Sequence, residues 1–231
     1  MKKREVSCCA ARLPAQPDME IIKDIHWLGH DTFRIHGGGK VVYTDPFKIG
    51  AGGPAADLIL VTHEHFDHCS PEDAEKIAKD LTVIVCPADC AEKFHKNKKI
   101  KTVPVKPGDR VNAAGIDVQA VPAYNIDKKF HPRERQWVGY IFTLGGKRIY
   151  IAGDTDHIPE MRDFRADIAL LPVSGTYVMT AEEAARAALD IKPEIAIPMH
   201  YGSIVGSAED AARFKALLEG KVKVVIPDRE G

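Results

Sequence analysis

Short apolar runs of strand length, broken by glycine, proline and acidic residues, set the pattern of the chain. Residues 21–28, 32–35 and 41–45 read as three strands. Gly29-His30 separates the first two, and the triplet Gly37 to Gly39 turns the chain into the third. Pro46 and the cluster at 50–54 form a loop before the wholly apolar run Leu58-Ile59-Leu60-Val61. A helix follows at Ser70, which can cap it, with Pro71 in the first turn and Asp73 at capping-box spacing. Residues 82–85 predict a strand, 88–95 a short helix, and 99–122 β-structure with turns at Pro107-Gly108-Asp109 and Ala114-Gly115. Residues 136–144 and 148–152 predict a hairpin around Gly145-Gly146.

The last third alternates. Strands are predicted at 167–171, 194–199 and 222–226. Helices run from Thr180, paired with Glu183, to residue 190, and from Ser207, paired with Asp210, to Glu219, with Gly220 as the stop. Two β-rich stretches, each passing into β/α alternation, suit an α/β fold of two packed sheets with helices outside. We expect one domain over 19–231 and a loose tail over 1–18, with Met19 a second start directly before the first strand.

Composition narrows the function classes. The chain has 231 residues and a net charge of −1, with acids and bases interspersed, so it carries no footprint for nucleic acid or an anionic surface. No apolar run approaches the ~20 residues of a membrane span. Lys2-Lys3-Arg4 followed by 6–11 faintly resembles a secretion signal, but Arg12, Pro14 and Asp18 interrupt it. Five cysteines without a regular framework suggest reduced thiols and a cytoplasmic protein. Cys86 and Cys90 lack the second pair that a zinc knuckle needs; Cys69 adjoins His68 and reads as a small buried thiol.

The chemistry concentrates at 63–68, His-Glu-His-Phe-Asp-His, directly after the apolar run 58–61. Neutral imidazole and carboxylate are the donors that divalent transition metals prefer, and such a cluster has no packing purpose. Other strands end in the same manner: 41–43 at Asp45, 118–121 near Tyr124-Asn125, 149–151 at Gly153-Asp154 and 195–197 at His200. Strands sharing sheet edges would collect these ends at one rim.

His63-Glu64-His65-Phe66-Asp67-His68 resembles the H-x-H-x-D-H signature of the metallo-β-lactamase superfamily. Gly153-Asp154 is similar to its later G-D motif, and Pro198-Met199-His200 to its last histidine. Trp27-Leu28-Gly29-His30 and Thr44-Asp45-Pro46 resemble the branch of ascorbate-6-phosphate lactonase and N-acyl-phosphatidylethanolamine phospholipase D. The resemblance covers about 21–226 and implies a four-layer αββα sandwich of two mixed sheets flanked by helices. It places His63 and His65 on a first metal, Asp67, His68 and His200 on a second, and Asp154 between them. One position departs: where the family has a further histidine for the first metal, this chain has Asn125. Asn125 as ligand or near-ligand, and His131 swinging in from its loop, are both expected candidates.

The resemblance implies one or two divalent ions, zinc first, with manganese or iron as alternatives. They would activate hydroxide for hydrolysis, with Asp67 and Asp154 as the catalytic carboxylates. The expected substrate is a small, anionic ester, lactone or phosphodiester. Asp45 is expected to hold a ligand imidazole from behind. His30 is read either as a substrate or ligand contact or as a structural histidine. Tyr140 and Tyr177 could donate to a substrate oxygen or simply pack; Arg133, beside Arg135, could receive an anion or stay solvated. Two other readings stand: a mononuclear-iron oxidoreductase of the persulfide-dioxygenase type, and a metal-binding protein without catalysis. The expected partners are a small-molecule substrate and neither nucleic acid nor membrane, with a homo-oligomer left open.

Overall fold

A computed structural model describes residues 21–96 and 98–230. The expected tail, with Cys8, Cys9 and the start at Met19, lies outside the described residues. Among the described residues, thirteen strands form two sheets. The first sheet takes its strands in chain order: β1 (Ile25–Gly29), β2 (Thr32–Gly37), β3 (Lys40–Thr44), β4 (Ala56–Leu60), β5 (Ala78–Cys86) and β6 (Ile100–Pro104). Its opening strands are antiparallel, and β3 to β6 are parallel.

The second sheet contains β7 (Arg110–Ala113), β8 (Ile116–Pro122), β9 (Val138–Leu144), β10 (Lys147–Ile151), β11 (Ile168–Pro172), β12 (Ile195–Met199) and β13 (Lys223–Val224). It is antiparallel from β7 to β10 and parallel from β10 to β13. Both sheets are therefore mixed, as the α/β sandwich requires.

The alternation in β4 shows how the layers form. Leu58 and Leu60 point into the core shared with the second sheet, against residues such as Val118, Phe142 and Ile149. Ile59 and Val61 face the other way, onto Ala74 and Ile77 of helix α1 (Pro71–Ile77) and Cys90 and Phe94 of helix α2 (Ala88–Phe94). With period 2, a strand buried on both faces needs apolar residues throughout, which is why 58–61 reads as one run. Helix α3 (Ala181–Ile191) packs on β11, and helix α4 (Ala208–Leu217) on α3 and β12.

Helix starts follow their caps. Ser70 accepts from the Asp73 N–H at 3.2 Å, and Thr180 from the Glu183 N–H at 3.2 Å. Gly145 and Gly146, at φ 57° and 78°, supply the left-handed pair that the tight β9–β10 hairpin needs.

Three boundaries differ from expectation. Ile21–Asp24 is a 3-10 turn, so the first strand begins at Ile25. Strand β5 begins at Ala78, well before residue 82. The last strand is only Lys223–Val224. It lies at an edge, and Pro227 beyond it offers no N–H to continue a ladder.

Candidate metal centre

The ends of β3, β4, β10 and β12, with loops from both sheets, converge on one rim. After β4 the chain passes Thr62 and closes a turn: the backbone N–H groups of His68 and Cys69 both donate to the His65 carbonyl, at 3.0 and 2.8 Å. This turn gathers His63, His65, Asp67 and His68. From the other sheet, Gly153 adopts φ +62° and sits so close to Thr62 that a Cβ would meet the Thr62 Cβ at 2.8 Å. Only a glycine permits that approach, and it carries the neighbouring Asp154 into the imidazoles.

Among the described residues, overlapping donor groups able to hold a metal ion result, and the two richest in imidazole share no residue. One is His63, His65 and His131; the other is His30, Asp67, His68 and His200. Asp154 spans them. Its Oδ2 lies 3.2 Å from His131 Nε2 and 3.9 Å from His63 Nε2, while its Oδ1 lies 3.2 Å from His200 Nε2 and 3.4 Å from His68 Nε2.

The outer nitrogens of these rings are engaged. His68 Nδ1 is 2.9 Å from Asp45 Oδ2, His131 Nδ1 3.1 Å from Asn125 Oδ1, His200 Nδ1 2.9 Å from Ser174 Oγ and His63 Nδ1 3.0 Å from Thr62 Oγ1. Asp45 is held in turn by the Thr62 N–H and hydroxyl, at 2.8 and 2.6 Å. The inner nitrogens of His68, His131 and His200, and Asp154 Oδ1, are buried and make no hydrogen bond among the described residues. Buried polar atoms are paired as a rule. Donors that converge without bonding one another fit a cation at their common centre, and imidazole with carboxylate suits a transition metal.

The electrostatics agree. Burial and the neighbouring His68 charge hold His63 well below its ordinary pKa, in the neutral form that ligates. Burial alone would raise Asp154, yet the His200, His68 and His131 rings hold it well below the carboxylate range. Burial opposes charge on His68 and His200 too, but the facing carboxylates, Asp154 foremost, raise both. Positive charge is thus favoured at His68 and His200, beside Asp154, and opposed at His63.

Asn125 is engaged through both ends of its amide. Its Nδ2 donates to Asp156 Oδ1 and the Tyr177 carbonyl, at 3.0 and 2.9 Å, and its Oδ1 faces His131. Of the two expected roles, ligand and near-ligand, these bonds fit the second, with the amide turned to His131. Tyr140 is corrected as a substrate contact. Its hydroxyl is buried and donates to the Val61 and Val85 carbonyls, at 2.7 and 3.1 Å. Tyr177 stacks edge-on with Phe130 beside the loop of His131. Arg133 is largely exposed, pairs with Glu160 at 3.0 Å and lies over the Tyr124 ring.

His30, left open between roles, is buried, with Nε2 3.1 Å from Asp67 Oδ2 and its ring 4.2 Å from that of His200. Sequence reasoning missed Ser174 and Asp31. Ser174 follows β11 as His200 follows β12, so the strand-end rule applied once more would have found it. Asp31 gives no signal beyond adjoining His30.

Comparison with known proteins agrees with this geometry. Residues 24–200 match the model of the Beta-lactamase superfamily domain. The UPF0173 metal-dependent hydrolase of Thermoplasma acidophilum is 38% identical over 225 residues, covering 92% of this chain and 98% of that one. Its counterpart in Pyrococcus abyssi is 36% identical over 87% of this chain and 95% of its own. Among solved structures, a candidate metal-dependent hydrolase from Parabacteroides distasonis superposes with a TM-score of 0.78 at 35% identity, covering 89% of this chain and 93% of that chain. Igni18, a metallo hydrolase from Ignicoccus hospitalis, shares the fold at a TM-score of 0.72 and 24% identity, covering 90% and 95%. No described helix is long and apolar enough to cross a membrane. The chain belongs to the metallo-β-lactamase superfamily and, within it, to the UPF0173 metal-dependent hydrolases.

Proposed function

We propose that the protein hydrolyses a small anionic ester, lactone or phosphodiester at a centre of two divalent cations. His63, His65 and His131 would hold the first, and Asp67, His68 and His200 the second, with Asp154 shared. The single observation that carries this reading is the Asp154 carboxylate, one oxygen turned to each imidazole group. Ions bound there, zinc first, would lower the pKa of water to about 7 and polarise the substrate's carbonyl or phosphoryl oxygen.

The chain's own groups supply the rest. Asp67 is the part-exposed carboxylate of the cluster, at 14% side-chain exposure, so it can meet both the buried centre and an incoming substrate. His30, bonded to Asp67 Oδ2, fixes that carboxylate and leaves its other oxygen to take a proton toward the leaving group. Asp45 and Asn125 keep His68 and His131 aimed inward. Lys129 and Arg133 line an open pocket beside the His131 loop, together with Tyr124 and Ile126, and support an anionic substrate.

The test is turnover of a panel of phosphodiesters, lactones and thioesters by protein loaded with zinc or manganese. We expect hydrolysis of at least one class, abolished in Asp67→Ala. Retained iron with oxygen consumption would favour the oxidoreductase reading instead, and bound metal with no turnover a binding protein.

A further inference from the structure

Asp31 lies in the turn between β1 and β2 and plays no part in the mechanism above. Its side chain is completely buried, and neither carboxylate oxygen has a hydrogen-bond partner. Taking a carboxylate out of water with no hydrogen-bond donor is among the costliest arrangements a fold can hold, and here the His200 and His68 rings are the opposing charges that face it. The backbone leaves Asp31 little freedom to escape. Its carbonyl accepts from the Thr44 hydroxyl at 2.9 Å, and the preceding His30, in the left-handed region at φ 52°, has its carbonyl bound by Trp27 Nε1 at 2.9 Å.

What faces the carboxylate is the second cation position. An oxygen of Asp31 groups within 4.8 Å with ligand atoms of Asp154 and His200, and also with those of Asp45 and His68. Its Oδ2 is 3.9 Å from His68 Nδ1. The two cation positions are thus unlike. Around the first stand the three imidazoles of His63, His65 and His131 with one oxygen of Asp154. Around the second stand three imidazoles, His30, His68 and His200, and three carboxylates, Asp31, Asp67 and Asp154.

We propose that Asp31 is an oxygen ligand of the second cation position, and that it biases that position toward an ion of the manganese(II) kind. The inference rests on the two-cation reading above. Nitrogen-rich, four-donor surroundings suit zinc. Oxygen-rich, anionic, higher-coordinate surroundings suit manganese, which gains more from an added carboxylate because its bonds to neutral imidazole are weaker. The third carboxylate also explains why the fold tolerates Asp31: with the ion present, the buried charge has its partner.

The full-length protein, stripped with a chelator, is titrated with manganese(II) and with zinc, for the native chain and for Asp31→Asn and Asp31→Ser. Free manganese is followed by electron paramagnetic resonance and zinc by calorimetry, and the thermal midpoint of each metal-free protein is recorded. In both variants the second equivalent of manganese should bind at least about tenfold more weakly, the second equivalent of zinc should lose less, and the first should be unchanged. The metal-free midpoint should rise in both, because a buried carboxylate with no hydrogen-bond donor has been removed.

Native manganese affinity in the variants, or a metal-free midpoint that falls in both, would overturn the assignment and leave the two-cation reading intact. A native chain that takes up no second ion would overturn both together.

Discussion

Asn125 aims His131. The Asn125 Oδ1 accepts from the His131 backbone N–H at 3.0 Å and lies 3.1 Å from the ring Nδ1, turning Nε2 toward Asp154 at 3.2 Å. A histidine on an irregular loop would otherwise sample several rotamers; two contacts to one amide oxygen select the inward one. His131→Ala should therefore remove a ligand outright, whereas Asn125→Ala should leave it present but unaimed. We expect the Asn125 variant to bind its first equivalent of zinc about 10- to 100-fold more weakly and His131→Ala to lose more, as measured by calorimetry on chelator-treated protein. Equal affinities for Asn125→Ala and the native chain would remove Asn125 from this role.

Asp45 does two jobs from a fully buried position. It holds His68 Nδ1 and accepts the Thr62 N–H and hydroxyl, which brace the start of the ligand turn. Asp45→Ala leaves those donors buried and unpaired, at about 1–3 kcal/mol each before relaxation. Chemical denaturation of the metal-free protein should show a loss of at least that size, and the second metal equivalent should weaken as well. A stable variant with native metal binding would contradict both roles.

Tyr140 should matter to the fold and not to the chemistry. Its hydroxyl spans the Val61 and Val85 carbonyls inside the core. Tyr140→Phe should cost about 1–3 kcal/mol in urea unfolding and leave kcat/KM within about twofold for any substrate the panel reveals. A large fall in kcat with unchanged stability would return Tyr140 to the substrate.

Asp73 gives the fold an acid limit. Burial would raise its carboxyl, but the contacts from Lys76, Ser70 and the Lys48 N–H outweigh that and lower it. A carboxyl depressed in the folded state stabilises fully above its ordinary value near 3.8, and that contribution disappears as pH falls through the lower folded value. Asp73→Asn should thus be less stable than the native chain at neutral pH, by about 1–3 kcal/mol, with the gap closing as pH falls from 3.8 through the lower folded value. Thermal midpoints of the two proteins across that range provide the measurement; a pH-independent gap would show that charge is not involved.

Metal removal should loosen the rim before the sheets. The inner nitrogens of His68, His131 and His200 and Asp154 Oδ1 have no hydrogen-bond partner among the described residues, so an ion binding only the folded state adds its binding free energy to stability. At a free ion concentration of 100 times Kd this is about 2.7 kcal/mol. Chelation should lower the thermal midpoint, and hydrogen exchange should rise first in 63–69 and 123–137, with β4 and β11 still protected. Uniform loss of protection would argue against the local picture.

Most of the architecture was readable from local chemistry. Period-2 burial, capping pairs and the glycine turns are dictated by neighbouring residues, so the sandwich, its helix starts and the strand-end positions of His63, Asp154 and His200 are written in short stretches of chain. Three things were not. The residue beside His65 in the first group lies on an irregular loop, where spacing constrains nothing, so Asn125 and His131 stayed open as alternatives. Strand β9 is almost wholly buried, so alternation could not show that Tyr140 points into the core rather than toward the mouth. Asp31 looks like any turn aspartate until the ends of two sheets close over it.

Sequence by itself determined which segments are strands and that metal-binding donors stand at their ends, because both depend on neighbours in the chain. Tertiary structure alone decided which donors share a point in space, which nitrogen of each ring faces inward, and that a lone carboxylate is buried beneath them. Those depend on contacts between distant segments, which no local pattern encodes.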